Sequence, residues 1–93
     1  MRIPSQDQYP KKVYLRDEVY KVKFVKGLKN IGETDPQKKR ILIRAGMSRN
    51  ETFRTFIHEL LHFMEFEWPV KIKHKTVYKL EKALYHLLQD NFL

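Results

Sequence analysis

The chain has 93 residues, of which 19 are lysine or arginine and 11 are aspartate or glutamate, so its formal net charge is +8. This length predicts a single domain over residues 1–93, with a core large enough to fold alone. Cysteine is absent, which excludes disulfides and thiolate metal ligands, and no apolar run has the length of a membrane span or a signal-peptide core. We therefore expect a cytoplasmic protein that has no membrane partner.

The positive charge is concentrated in the first half of the chain. Residues 1–50 contain 13 lysines and arginines against 5 acidic residues, whereas residues 51–93 contain 6 of each. A basic half of this kind can attract nucleic acid or an acidic partner by long-range electrostatics. Its lysines can equally be the solvent-facing residues of strands, and their alternation with apolar residues favours this second interpretation.

Two hairpins are predicted before residue 45. Residues 1–12 include two prolines and have no regular period, which predicts a flexible arm. Tyr20, Val22 and Phe24 alternate with lysines, which is typical of a strand with one buried face, and residues 13–15 are its predicted partner. Residues 30–34 and 40–44 form a second predicted hairpin, because Asp35-Pro36 has turn chemistry. We expect a small antiparallel sheet.

A helix is predicted to begin at about Arg49, because Ser48 and Glu51 have the spacing of a capping box. It must end before Pro69, which cannot extend a helix. One side of this helix is apolar and should pack against the sheet; its residues are Phe53, Phe56, Ile57, Leu60, Phe63 and Met64.

The other side of this helix carries the sequence His58-Glu59-Leu60-Leu61-His62. Histidines four residues apart lie one turn apart on the same face, so both imidazoles can bind one metal ion. Glu59 lies beside that face, where it can reach a metal-bound water and act as a general base. The alternative is that the two histidines are ordinary polar surface residues.

A second helix is predicted from about His74 to Asp90, with Glu81 in the middle of an apolar stripe. The residues around Glu81 are Val77, Tyr78, Leu84, Tyr85 and Leu88. Burying an ionised carboxylate costs several kcal/mol unless a cation or strong donors compensate. We expect Tyr78 and Tyr85 to be core residues, although one of their hydroxyls can instead contact a reacting carbonyl oxygen.

A catalytic zinc site usually has three protein ligands, and the candidates for the third are Glu81, His74, Glu65 and His86. Two helices joined by a short connection tend to run antiparallel, which favours Glu81 as the residue level with the histidine pair. His74 remains the alternative. Glu65 is better placed to hydrogen-bond an imidazole than to bind the metal.

The His-Glu-x-x-His motif, followed after eighteen residues by Glu81, resembles the gluzincin pattern of zinc metallopeptidases. The short chain is similar to minigluzincins and small phage-type metallopeptidases. Over residues 30–90 this resemblance implies a minimal zincin-like α+β fold, with a small sheet on the active-site helix and a following glutamate helix. It also implies one zinc ion per chain, bound by His58, His62 and Glu81.

The activity implied by the resemblance is that of a zinc-dependent endopeptidase with Glu59 as general base and a peptide or protein as substrate. The substrate backbone would add as a strand to the sheet edge, at residues 40–44 or 30–34. Two departures are visible: Tyr85 occupies a position where many gluzincins have an aspartate, and the chain has no room for the usual C-terminal lobe. We therefore expect low activity or latency, with the apolar tail of residues 91–93 lying across the cleft.

Two alternatives remain open. The spacing of eleven residues between His62 and His74 is similar to that of SprT-like metalloproteases, which use a third histidine and act near DNA. The basic first half of the chain would suit that alternative. The other possibility is a non-catalytic module that binds nucleic acid or protein through its basic strands.

Overall fold

The computed structural model describes residues 3–68 and 71–91 and has an α+β architecture. A four-stranded sheet packs against the first of two helices, and the second helix packs against the first. The strands are β1 (Lys12–Leu15), β2 (Glu18–Val25), β3 (Gly32–Asp35) and β4 (Arg40–Arg44), and the helices are α1 (Arg49–Glu67) and α2 (His74–Asn91).

Both predicted hairpins are confirmed. β1 and β2 are antiparallel, with Val13 opposite Tyr20, and β3 and β4 are antiparallel, with Thr34 opposite Ile41. The β3–β4 turn has the predicted chemistry, because Asp35 Oδ1 accepts hydrogen bonds from the backbone N–H groups of Gln37 and Lys38.

The prediction of a purely antiparallel sheet is wrong at its centre. The strand order is β1-β2-β4-β3, and β2 and β4 are parallel. The reason lies in β4, where Ile41, Leu42 and Ile43 are all buried, at 0%, 7% and 0% exposure. A strand without apolar–polar alternation needs cover on both faces and both edges, which an interior position provides. Once β4 lies beside β2, the β3–β4 hairpin leaves β3 at the edge.

The core lies between the sheet and α1. The sheet contributes Tyr20, Val22, Ile41 and Ile43, and α1 contributes Phe53, Phe56, Ile57, Leu61 and Phe63. Aromatic rings meet directly across this interface: the Tyr20 and Phe63 centroids are 4.4 Å apart. Fully burying one large apolar side chain stabilises a fold by about 1.5–3 kcal/mol, so this layer fixes α1 on the sheet. The predicted apolar side is largely confirmed, but Met64 is 47% exposed.

Both helices begin where the sequence predicts. Ser48 caps α1, since its Oγ accepts a hydrogen bond from the backbone N–H of Glu51 at 3.2 Å. The chain returns in the opposite direction in α2, because His74 lies beside His62 at one end and Tyr85 beside Phe53 at the other. Pro69 and Val70 of the connection lie outside the described residues. Within residues 3–68 and 71–91, no helix is long and apolar enough to cross a membrane.

The first residues of the chain contribute a side chain to the core. Tyr9, inside the segment predicted as a flexible arm, is 7% exposed and packs with its ring centroid 5.0 Å from that of Phe56. The segment thus contributes one residue to the core. At the other end, the predicted position of Phe92 and Leu93 across the cleft falls outside the described residues.

Candidate metal centre

Two histidine side chains of α1 converge at their tips. His58 and His62 lie one helical turn apart, and their Nε2 atoms are 3.1 Å apart. The side chains are 14% and 21% exposed, so the pair is mostly shielded from bulk water. The face that the sequence predicts for these residues is therefore present, with both rings aimed at one point.

Each of these rings has a carboxylate at its other nitrogen. Glu81 Oε1 is 2.8 Å from Nδ1 of His58, and Glu65 Oε1 is 3.2 Å from Nδ1 of His62. An ionised carboxylate can only accept hydrogen bonds, so each Nδ1 must carry the proton. A neutral imidazole then has a bare lone pair on Nε2, and the two lone pairs face each other. A proton or a metal ion between them removes the resulting repulsion.

His74, at the start of α2, completes a group of three. One ring nitrogen from each of His58, His62 and His74 lies within 4.8 Å of the others. The His74 centroid is 5.6 Å from that of His58 and 5.8 Å from that of His62. Of the two residues proposed from the sequence as third ligand, the structure brings His74 into this group, whereas Glu81 lies behind His58.

The spacing of His58 and His62 is compatible with two ligands of one tetrahedral metal ion such as zinc, and the ring nitrogens of all three histidines lie within 4.8 Å of one another. Zinc binds histidine nitrogen at about 2.0–2.1 Å in a tetrahedral arrangement, which separates two ligand nitrogens by roughly 3.4 Å. The observed 3.1 Å between the Nε2 atoms of His58 and His62 is close to that value. Imidazole is a favoured zinc ligand, and carboxylates behind ligating histidines are the usual supporting groups. Three histidine ligands would leave one position of a tetrahedral ion free for water or another ligand.

Glu81 finds its charge partner in α1. The carboxylate is buried, at 6% exposure, and its Oε2 accepts hydrogen bonds from Nε and a terminal nitrogen of Arg54 at 3.3 and 3.2 Å. The sequence correctly predicts that a buried carboxylate here needs compensation. The compensation comes from the Arg54 guanidinium and the N–H of His58, so a direct bond to a metal ion is not required.

Glu65 connects the two helices near the histidine group. Besides contacting His62, it accepts the backbone N–H of Ile72 at 3.1 Å through Oε2. The Ile72 backbone N–H, and then the hydrogen bond to His62, hold the pKa of the Glu65 carboxyl below its usual value. Because Ile72 is two residues before His74, this bond anchors the segment that presents the third ring. The contact expected from the sequence, between Glu65 and an imidazole, is thus present at His62.

Glu59 is held beneath the edge strand. It is 5% exposed, and its Oε1 accepts a hydrogen bond from the Thr34 hydroxyl at 2.7 Å. Gly32 provides the room above it, since a Cβ at that position would lie 2.7 Å from Glu59 Oε2 and 2.6 Å from a methyl carbon of Thr55. The sequence pattern of α1 gives no sign of Gly32 or Thr34, because both reach Glu59 only through the fold.

A cleft of about 570 Å³ opens beside these groups, and its wall is formed by α1, α2 and the chain at the start of β3. The residues around it include Asn30, Ile31, Gly32, Arg54, His58, Glu59, His74, Tyr78 and Glu81. Tyr78 is 53% exposed here, with its ring centroid 5.2 Å from that of His58 and 4.9 Å from that of His74. The prediction that Tyr78 is a core residue is therefore wrong.

The structure also gives the surroundings of Tyr85 and shows which strand forms the sheet edge beside the cleft. Tyr85 is partly buried and packs with its centroid 5.9 Å from that of Phe53, as a core residue should. The edge strand beside the cleft is β3, whereas β4 lies inside the sheet and has no free edge. Of the two stretches predicted to receive a substrate strand, 30–34 is thus at an edge, and 40–44 is not.

Comparison of the chain with models of known protein families, with curated proteins and with solved structures finds no match. A fold can host many unrelated functions, whereas the chemical groups of a site limit the reactions that it can perform.

Proposed function

We propose that the protein is a zinc-dependent metallopeptidase whose metal ion is bound by His58, His62 and His74, one ion per chain. The observation that carries the proposal is the approach of the two Nε2 atoms to 3.1 Å while both Nδ1 atoms are held by carboxylates. A proton shared between the rings would also relieve the repulsion, but it would give no role to the third ring, which lies within the same 4.8 Å group.

Glu59 is the proposed general base. A zinc ion in this site would polarise the scissile carbonyl and acidify a water molecule. Glu59 would accept the proton of the attacking water and later deliver it to the leaving amine. The hydrogen bond from the Thr34 hydroxyl holds Oε1 in place, so the proton transfer falls to Oε2. Burial of the carboxylate under β3 keeps competing water away from it.

A peptide is the proposed substrate, bound as an added strand along the free edge of β3. Strand addition satisfies the backbone hydrogen-bonding groups of an edge strand and holds an extended peptide at a fixed distance from the sheet. Thr34 hydrogen-bonds Glu59 and Gly32 lies directly above its side chain, so a peptide paired with β3 would pass close to the proposed base. Tyr78 lies across the cleft from this edge, where its hydroxyl can donate to a carbonyl oxygen of the substrate.

The arrangement favours one of the two family resemblances over the other. In a gluzincin, Glu81 would bind the metal, whereas the contacts described here give it the task of orienting His58. The three-histidine pattern of SprT-like metalloproteases accounts for His74 as well as for the spacing after His62. We therefore propose a three-histidine peptidase, with Arg54 and Glu81 as support for the first ligand.

The experiment that tests this function is hydrolysis of a fluorogenic peptide library by the wild type and by Glu59→Gln. The amide keeps the shape of the side chain but cannot accept the proton, so we expect zinc content and thermal stability to persist while turnover falls at least about 100-fold. Equal turnover by both proteins on any substrate that the wild type cleaves would refute the proposed mechanism. A wild type without zinc would favour a non-catalytic module instead.

A further inference from the structure

On the face of the sheet that points away from α1, the region around β1, β2 and the start of β4 is strongly basic, whereas β3 contributes Glu33 and Asp35 to the same face. Six cationic residues border a shallow groove of about 360 Å³ on this face, together with Val19; they are Lys12, Lys21, Lys23, Lys38, Lys39 and Arg40. We call this set the basic face. Within the described residues no carboxylate lines the groove, although Glu18 pairs with Lys39 at its border. Arg40 lies opposite Asp35 of β3, so Lys12, Lys21, Lys23 and Lys38 remain as four cations for a ligand.

The register of the strands places like charges side by side. Lys21 of β2 lies opposite Lys12 of β1 on one side and opposite Arg40 of β4 on the other, and Asp35 of β3 ends the row beside Arg40. Neighbouring strands are about 4.8 Å apart, and like charges directly opposite each other destabilise a sheet. In addition, the Nε atom of Arg40 is buried without a hydrogen-bond partner. A bound polyanion would relieve the repulsion between Lys12 and Lys21, which have no carboxylate opposite them in the sheet.

Two exposed apolar residues lie next to the cations. Side chains alternate along a strand, so Tyr14 shares a face with Lys12, and Val19 shares a face with Lys21. Tyr14 and Val19 are opposite each other in the β1–β2 pair and are 68% and 36% exposed. An exposed aromatic ring beside a row of lysines matches the two components of a single-stranded nucleic-acid site, which are phosphate contacts and a stacking platform.

We propose that the basic face binds single-stranded nucleic acid, with phosphates on Lys12, Lys21, Lys23 and Lys38 and a base stacked on Tyr14. A charged lipid surface offers the negative charge but no flat ring for Tyr14, and an acidic peptide offers a ring only where an aromatic residue lies beside its carboxylates, whereas every nucleotide carries both a phosphate and a base. The metal centre lies on the α1 side of the sheet, so this site does not depend on the peptidase proposed above. A nucleic acid bound on the basic face would leave the cleft beside β3 open.

The test uses the full chain and a fluorescein-labelled oligonucleotide of fifteen deoxythymidines, with binding followed by fluorescence anisotropy. For single strands the slope of log K against log salt is about −0.7 per phosphate neutralised, so four contacts predict a slope of about −2.8. Raising salt from 50 to 200 mM should then weaken binding about 50-fold. A slope near zero would overturn the proposal.

A matched pair of variants separates the basic face from net charge. Lys21→Gln/Lys23→Gln removes two cations from the face, and we expect the slope to become shallower by about 1.4 and affinity at low salt to fall at least about 10-fold. Lys79→Gln/Lys82→Gln removes two exposed cations from α2 and serves as the control. Equal losses in both variants would show attraction by overall charge alone and would overturn the assignment.

Tyr14→Ala tests the stacking component. Stacking of one base on an aromatic side chain contributes enough binding energy that its removal should weaken affinity about 5-fold or more. The salt slope should not change, because no charge is removed. A duplex of the same length should bind more weakly than the single strand. Unchanged affinity in Tyr14→Ala, or stronger binding to vesicles of phosphatidylserine and phosphatidylcholine than to the oligonucleotide, would overturn the proposal. Glu59→Gln should bind the oligonucleotide as the wild type does.

Discussion

Changing Glu81 to glutamine and His74 to alanine separates a supporting residue from a metal ligand. In Glu81→Gln the amide oxygen can still accept the N–H of His58, so the ring keeps its orientation and loses only the charge behind it. Removing a residue that hydrogen-bonds a metal ligand lowers metal affinity by about 10–100-fold, so for the conservative change Glu81→Gln we expect a loss of about 10-fold. Structural zinc sites bind with about 10–16 kcal/mol over four ligands, so losing one ligand in His74→Ala should cost about 3 kcal/mol, or at least 100-fold.

The assay is competition for zinc with a chromophoric chelator at fixed pH, supported by circular dichroism to show that both variants fold. At a chelator concentration at which Glu81→Gln still retains most of its zinc, we expect His74→Ala to have lost its zinc to the chelator. His62→Ala provides the reference for the loss of one of the two histidines of α1. If Glu81→Gln lost zinc as readily as His62→Ala while His74→Ala kept it, Glu81 would be the ligand, and the three-histidine assignment would be wrong.

Two further predictions concern the support of the site. In Gly32→Ala the new Cβ would lie 2.7 Å from Glu59 Oε2, so we expect the free energy of unfolding in urea to fall by about 1–3 kcal/mol. Turnover should also fall while zinc is retained. An unchanged unfolding midpoint would contradict the close contact. Glu65 has a lowered pKa, so its stabilising effect is present above its unfolded pKa and is lost as pH falls through the folded value. Metal-free Glu65→Gln should therefore have a smaller free energy of unfolding than metal-free wild type at pH 6, and this difference should shrink towards pH 3. A difference that stays constant with pH would show that the lowered pKa of Glu65 does not stabilise the fold.

Local chemistry made the helices and hairpins predictable. Ser48 and Glu51 mark the start of α1, and the four-residue spacing of His58 and His62 sets their common face without reference to the rest of the fold. The two hairpins follow from alternation and turn residues. The parallel pairing of β2 with β4 was not predictable in the same way, because it depends on which strand gains most from an interior position.

The third ring was harder to predict for a geometric reason. Spacing along the chain places Glu81 level with His58, and this was correct, since the two are in contact. Spacing along the chain does not reveal the role of Arg54. This residue lies on α1, one turn before His58, and its guanidinium neutralises Glu81 of α2. Nor does spacing give the contact between Glu65 and Ile72, which draws the start of α2 and His74 towards the pair. Both depend on how the two helices cross.

The most direct test of the central claim is a crystal structure of the zinc-loaded protein with anomalous data collected at the zinc absorption edge. We expect one anomalous peak per chain, about 2.0–2.1 Å from Nε2 of His58, Nε2 of His62 and a ring nitrogen of His74, with Glu81 still hydrogen-bonded to His58. A peak bound by Glu81 in place of His74, or no peak at this site in a zinc-saturated crystal, would contradict that claim.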